Sequence, residues 1–115
     1  MSDITGGKYT DLVVSQDMEI TVTADNATHP IASMSVGTRD AAYIALRLSL
    51  IGLLCPDEKP PVMLDEALAH IDDTRAENLL SMLTRHTEDG TQCLLFTCQS
   101  REGESLGNKA NIIKL

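Results

Sequence analysis

At 115 residues, 43% of them apolar and 23% charged, the chain is one domain's worth and too apolar for disorder, with roughly 65% of the unfolded surface available for burial at this size. Seventeen acidic against nine basic residues give a net charge of −8, which repels phosphate backbones unless a local basic patch overrides it, and Tyr9, Tyr43 and Phe96 are too few aromatics for base stacking. The longest apolar run, around Leu46 to Cys55, is broken by Arg47 and Ser49 and is far short of the ~20 residues that span a bilayer, and Met1 to Thr10 carries no secretion signal.

Tyr9 to Ser15 and Met18 to Ala24 are rich in β-branched and alternating residues, Leu12 and Val14 in the first, Ile20 and Val22 in the second. Separated by Gln16 and Asp17, they read as two antiparallel strands. A third strand is expected over Pro30 to Ser33, and Ser35 to Arg39 reads as a short polar turn containing Gly37. Beyond it the chain is periodic: Tyr43, Leu46, Leu50 and Leu54 form one stripe with Ile44, Leu48 and Ile51 beside it, the pattern of a wide-faced, mostly buried helix. Pro56, Pro60 and Pro61 end that helix. Val62, Met63 and Leu64 form an apolar run closing on Asp65 and Glu66, as expected of a strand buried on both faces.

Asp72 or Asp73 can then cap a second helix with the stripe Ala76, Leu79, Leu80 and Leu83, which Asp89-Gly90 breaks. Cys93 to Thr97 is a second buried-strand run. A polar loop or short helix near Arg101 to Leu106 follows, and Asn111 to Leu115 is expected as a last strand. The predicted fold is α/β, a single domain over residues 1–115: an antiparallel β-meander, a helix, and a parallel βαβ core with a right-handed crossover.

The strongest chemical signal is the apolar strand ending in Asp65-Glu66, because paired carboxylates at the carboxyl edge of a parallel sheet lie where such sheets bind ligands. One can hold Mg²⁺ through its water shell while its neighbour orients and deprotonates an attacking water. A strand leaving into solvent through acidic residues would look the same. Ser35-Val36-Gly37-Thr38 before the long helix offers backbone N–H groups and a hydroxyl to a phosphate oxygen, or simply a helix cap. Ile71-Asp72-Asp73 and Phe96-Thr97-Cys98-Gln99 are the remaining polar tips; capping and ordinary strand-end polarity are their plainer explanations.

In this order, the four segments resemble the C-terminal lobe of an ABC-type ATPase head of the SMC, RecF and SbcC class, and within it the YhaN-like AAA-domain proteins. The residues carrying the match are Ser35-Val-Gly-Thr-Arg-Asp-Ala-Ala-Tyr-Ile-Ala-Leu-Arg-Leu48, Leu64-Asp-Glu66, Ile71-Asp-Asp-x-Arg75 and Leu95-Phe-Thr-Cys-Gln-Ser-Arg-Glu102, with Gly6-Gly7-Lys8-Tyr9 leading into the meander. The fold so implied is the C-terminal half of a P-loop NTPase. The resemblance implies that Ser35 and the backbone of Val36, Gly37 and Thr38 form a signature loop touching the γ-phosphate of ATP held by an opposing head. It implies that Asp65 is the Walker B residue for Mg²⁺, Glu66 the general base and Asp72 the D-loop aspartate crossing the dimer interface. Gln99 falls on the switch position, where most relatives have histidine; an amide can hydrogen-bond a phosphate but cannot carry a proton as imidazolium does.

A phosphate-cradling P-loop needs G-x-x-x-x-G-K-[S/T], and the Gly7-Lys8 pair is followed by Tyr9 and has Ser2 at the upstream glycine position. The chain therefore reads as one lobe of a larger protein. The resemblance implies as partners an N-terminal Walker A lobe, a coiled coil and a second head in a homodimer, with DNA reached only through the full-length protein and no membrane. ATP and Mg²⁺ are its implied cofactors, and the isolated lobe is expected to be inactive. A nucleotide-sensing or scaffolding module with little hydrolysis is the alternative, and a two-metal hydrolase built from Asp65, Glu66, Asp72 and Asp73 is a third. Cys55, Cys93 and Cys98, without CxxC spacing, fit reduced thiols and a cytoplasmic location. His70 could approach a nucleotide or lie on the surface, and Arg39 and Arg47 could relay through ion pairs or simply be solvated.

Overall fold

Two sheets, one antiparallel and one parallel, sit on a shared helix in the computed structural model, which describes residues 1–115. The first sheet joins β1 (Leu12–Val14), β2 (Ile20–Ala24) and β3 (Ala27–Pro30) as an antiparallel meander in sequence order. Asp25 and Asn26 both have positive φ, at 50° and 61°, and Ala24 pairs with Ala27, so a two-residue turn of the kind that matches strand twist closes the second hairpin. That turn draws the third strand forward. The strand expected over Pro30 to Ser33 instead ends at Pro30, and Ile31–Ser33 coils into a 3₁₀ turn.

The first helix, α1, spans Val36–Leu54 and begins immediately after Ser35, so the residues expected to form a polar turn are its first helical turn. Its covered stripe is narrower than its periodicity suggests. Ala41, Ala42, Ile44, Ala45 and Leu48 are buried, whereas Tyr43, Leu50 and Leu54 are exposed.

The second sheet is a parallel pair, β4 (Val62–Asp65) and β5 (Cys93–Phe96), connected by α2 (Asp73–Glu88). Ala76, Leu79, Leu80 and Leu83 of α2 are all buried, as their spacing requires. They meet Ile44, Ala45 and Leu48 of α1 and Val62 and Leu64 of β4 in the main core. Ile4 joins this core with no exposed surface, although it lies in a segment that reads as polar, and Asn78 donates its side-chain N–H to the Ile4 carbonyl. A smaller cluster, Tyr9, Val22, Ala24, Ile31 and Ala42, seats the meander on the opposite flank of α1.

The parallel pair is covered on one face only. Val62 and Leu64 are buried, but Met63 is 53% exposed and Leu94 and Phe96 on the neighbouring strand point the same way into solvent. This corrects the expectation of strands buried on both faces: a two-stranded sheet with a helix layer on one side leaves alternate residues uncovered. The radius of gyration is 14.5 Å, against roughly 13 Å for a compact chain of this length, and the molecule is elongated, 41 × 33 × 22 Å. Residues 111–115 form no strand, and Ile112, Ile113 and Leu115 are exposed, because apolar alternation makes a strand only where a sheet edge receives it. After β5, a short helix α3 (Ser100–Leu106) completes the elements that shape the site.

Candidate functional site

The carboxyl end of the parallel pair carries Asp65 and Glu66. Pairing between Asp65 and Phe96 closes the ladder, and the Glu66 N–H still donates to the Phe96 carbonyl at 2.9 Å. Asp65 is exposed at the strand's last position. Glu66 has φ of 47°, a left-handed conformation that costs a non-glycine residue on the order of 1–2 kcal/mol. The strained backbone turns the Glu66 side chain back across the strand end, where its Oε1 accepts the N–H of Cys98 at 2.6 Å. The carboxylate raises the pKa of the Cys98 thiol, by hydrogen bonding first and by its charge second.

Ser35 caps α1: its Oγ accepts the Thr38 N–H at 3.4 Å and lies 2.9 Å from Thr38 Oγ1. The N–H groups of Val36 and Gly37 stay at the open end of the helix, which is where an anion is favoured. Gly37 is fixed by crowding, since a Cβ there would collide with the carbonyl oxygen of His70. The loop after Glu66 therefore lies directly on the first turn of α1. Arg75 ties the two together. Its Nη1 donates to Thr38 Oγ1 at 3.1 Å, its Nε pairs with Asp72 at 3.3 Å, and its N–H is the one the Asp72 cap accepts, at 3.1 Å. Thr38 itself is buried.

Gln99 opens α3 without a side-chain cap, and its N–H donates to Thr97 Oγ1 at 3.0 Å. Arg101, in the first turn of α3, reaches back to the same loop that Gly37 touches. Its Nη2 donates to the carbonyls of Leu68 at 2.8 Å and Ile71 at 3.0 Å, Nη1 pairs with Asp73, and Nε pairs with the buried Glu102 at 3.1 Å. Asp73 first and Glu102 second hold this guanidinium's pKa above its ordinary value.

The segment from Glu66 to Asp73 is thus the hub at which Ser35–Thr38, Asp65–Glu66, Asp72 and Thr97–Gln99 come together. The residues that make these connections, Thr38 with Arg75 and Arg101 with Asp73, stand 37 and 28 residues apart, too far for any local pattern to pair them. His70 is exposed and its Nδ1 lies 3.1 Å from Asp40. Arg39 and Arg47 enter no ion pair, in contrast with Arg75 and Arg101. The four acidic residues considered as a two-metal set do not assemble into one: Asp72 caps α2 and Asp73 pairs with Arg101.

The fold is similar to that of part of the SMC head domains. The chain superposes with a TM-score of 0.68 on a protein from work on ATP-driven dimerization and DNA-stimulated activation of SMC ATPases, at 16% identity, covering 85% of this chain and 62% of that one. The same score relates it to the Smc head domain with an extended coiled coil bound to the C-terminal domain of ScpA, derived from Pyrococcus furiosus, at 18% identity over 90% of this chain and 27% of that one. It also relates it to the Smc head domain with a coiled coil and joint derived from Pyrococcus yayanosii, again at 18% identity and 90% coverage, with 21% of that chain matched. In size and fold the chain corresponds to the C-terminal lobe of such a head.

In sequence it is similar to the uncharacterized protein YhaN of Bacillus subtilis (strain 168), 30% identical over 97 residues, which is 83% of this chain and 10% of that protein. The chain thus spans about a tenth of the length of the curated relative it matches. No family model matches it, and no helix is long and apolar enough to cross a membrane.

Proposed function

We propose that this chain is the signature and Walker B lobe of an ATPase head that binds ATP between two heads and hydrolyses it, working together with a P-loop lobe. The observation that carries this reading is Glu66: a carboxylate on a strained backbone, at the carboxyl edge of a parallel pair, within one hub of the loops that bear Ser35–Thr38, Asp72 and Gln99. Strained non-glycine residues of this kind persist where surroundings hold them for a purpose.

Glu66 acts as general base in this reading, accepting a proton from the attacking water. Asp65, an exposed carboxylate one residue before it, suits a Mg²⁺ held through water, and the open N–H groups of Val36 and Gly37 beside Ser35 suit a phosphate oxygen. When bound, Mg²⁺ neutralises charge that builds on the phosphate oxygens. In this reading Asp72 is the residue that meets a second head, and Gln99 supplies an amide at the switch position. The exposed face of Met63, Leu94 and Phe96 is one that a P-loop lobe would pack against. The work served is DNA repair, recombination or chromosome maintenance. With a net charge of −8, this lobe leaves DNA contact to other parts of the protein. Free thiols agree with a cytoplasmic location.

The test pairs this chain with its P-loop lobe and compares wild type with Glu66→Gln. Turnover of ATP should fall by roughly 10²–10⁴, the usual contribution of a general base, while ATP-dependent pairing of heads persists. Equal, slow hydrolysis by both proteins without ATP-dependent pairing would instead favour a nucleotide-sensing scaffold. The feature that motivates this second reading is Gln99, whose amide cannot relay a proton.

A further inference from the structure

α3 is joined to the rest of the fold in an unusual way, because its one buried residue is a carboxylate. Glu102 is 1% exposed and fully paired: Oε1 accepts from Arg101 Nε at 3.1 Å and Oε2 accepts from Thr97 Oγ1 at 3.3 Å. Thr97 Oγ1 in turn accepts the Gln99 N–H. From Arg101 the chain of bonds continues to the carbonyls of Leu68 and Ile71 and to the carboxylate of Asp73, next to the Asp72 cap. One continuous polar path therefore runs from the Gln99 tip to the Asp72 tip through the ion pair of buried Glu102 with half-buried Arg101.

Apolar contacts tolerate sliding, whereas a guanidinium fork engaged by two carboxylates and two carbonyls fixes direction as well as distance. The loop it grips has no strand or helix of its own between Glu66 and Asp72; Leu68 and Ile71 anchor it in the main core, and the Arg101 bonds and the Gly37 contact fix the direction of its backbone there. We propose that Arg101 is a positioning residue that locks the Asp72 loop to the Gln99 tip, so that the two move as one unit when nucleotide state changes. The proposal rests on the ATPase reading for its consequence in catalysis, but the mechanical link is a property of this chain alone. Lysine cannot replace it, since a single ammonium offers three donors from one point and cannot span carbonyls and carboxylates on opposite sides.

The experiment uses this chain assembled with its P-loop lobe, as wild type, Arg101→Lys, Arg101→Ala and Glu102→Gln, with Mg²⁺ and ATP. Amide hydrogen exchange should quicken in residues 68–73 and 97–99 together in Arg101→Ala, and to a smaller degree in Arg101→Lys and Glu102→Gln, while β4 and the middle of α1 keep wild-type protection. In the same proteins kcat should fall about 10–100-fold in Arg101→Ala, the scale of a misplacement near 1 Å, with KM for ATP within about threefold of wild type.

Faster exchange confined to one of the two tips, or spread over the whole chain in step with lost stability, overturns the coupling. Joint quickening with wild-type kcat overturns the catalytic positioning. If the wild-type assembly hydrolyses no ATP and Glu66→Gln is indistinguishable from it, the ATPase reading has failed, and the exchange pattern alone decides whether Arg101 links the tips.

Discussion

The two faces of the β4–β5 pair differ more than any other two regions of the molecule. On one face Val62 and Leu64 vanish beneath α1, α2 and Ile4; on the other, Met63, Leu94 and Phe96 meet water. Residues adjacent in sequence and similar in polarity thus have opposite fates. The covered face is held by contacts inside this chain, and the open face meets no other element of it. The meander shows the contrast from another side: it is closed by local hairpins and needs only a small cluster on α1 to seat it.

Leu64→Ala should cost about 2–5 kcal/mol, the usual range for emptying a buried leucine site, read as a shift in the urea midpoint. A cost below about 1 kcal/mol there would mean that the two faces are more alike than their exposure says. Gly37→Ala tests the same covered side at the α1 turn. The added methyl presses on the His70 carbonyl, so stability should drop by about 1–3 kcal/mol despite alanine's better helix propensity, measured by thermal unfolding.

At the exposed end of the strands, Cys98 reports on Glu66. The ionised carboxylate keeps the thiol protonated, so Glu66→Gln should lower the Cys98 pKa toward its ordinary value and raise the thiolate fraction. Alkylation of Cys98 near pH 8, followed by peptide mass spectrometry to separate it from Cys55 and Cys93, should then speed up several-fold. An unchanged rate would show that Glu66 does not face the thiol. The smallest effect belongs to Met63→Ala, which should alter this chain's stability by less than about 0.5 kcal/mol while weakening its association with a P-loop lobe.

Much of this arrangement is legible in the residue order. The stripe of α2, its Asp72 cap, its end near Asp89-Gly90 and the parallel run from Val62 follow from spacing and capping chemistry, and the structure has them in place. What escapes is set by partners distant in sequence or by turns. Asp25-Asn26 moves β3 by three residues because both adopt left-handed φ, a signal that the dipeptide offered. Ser35 starts α1 at once because its hydroxyl takes the Thr38 N–H. Ile4 is one apolar residue among polar ones, and only the third dimension shows the hole it fills.

The site divides in the same way. Its tips were readable as strand ends and a helix start, whereas the arginines that bind those tips into one hub have partners that no local pattern reveals.

The clasp between Glu66 and the Cys98 amide has one more consequence. That amide is at the surface, so when the side chain swings away, water takes its place at once and no buried group is stranded. Releasing the carboxylate therefore costs only the net worth of one exposed hydrogen bond, because both groups regain water. A side chain held this way can be re-aimed without any element of the lobe having to melt.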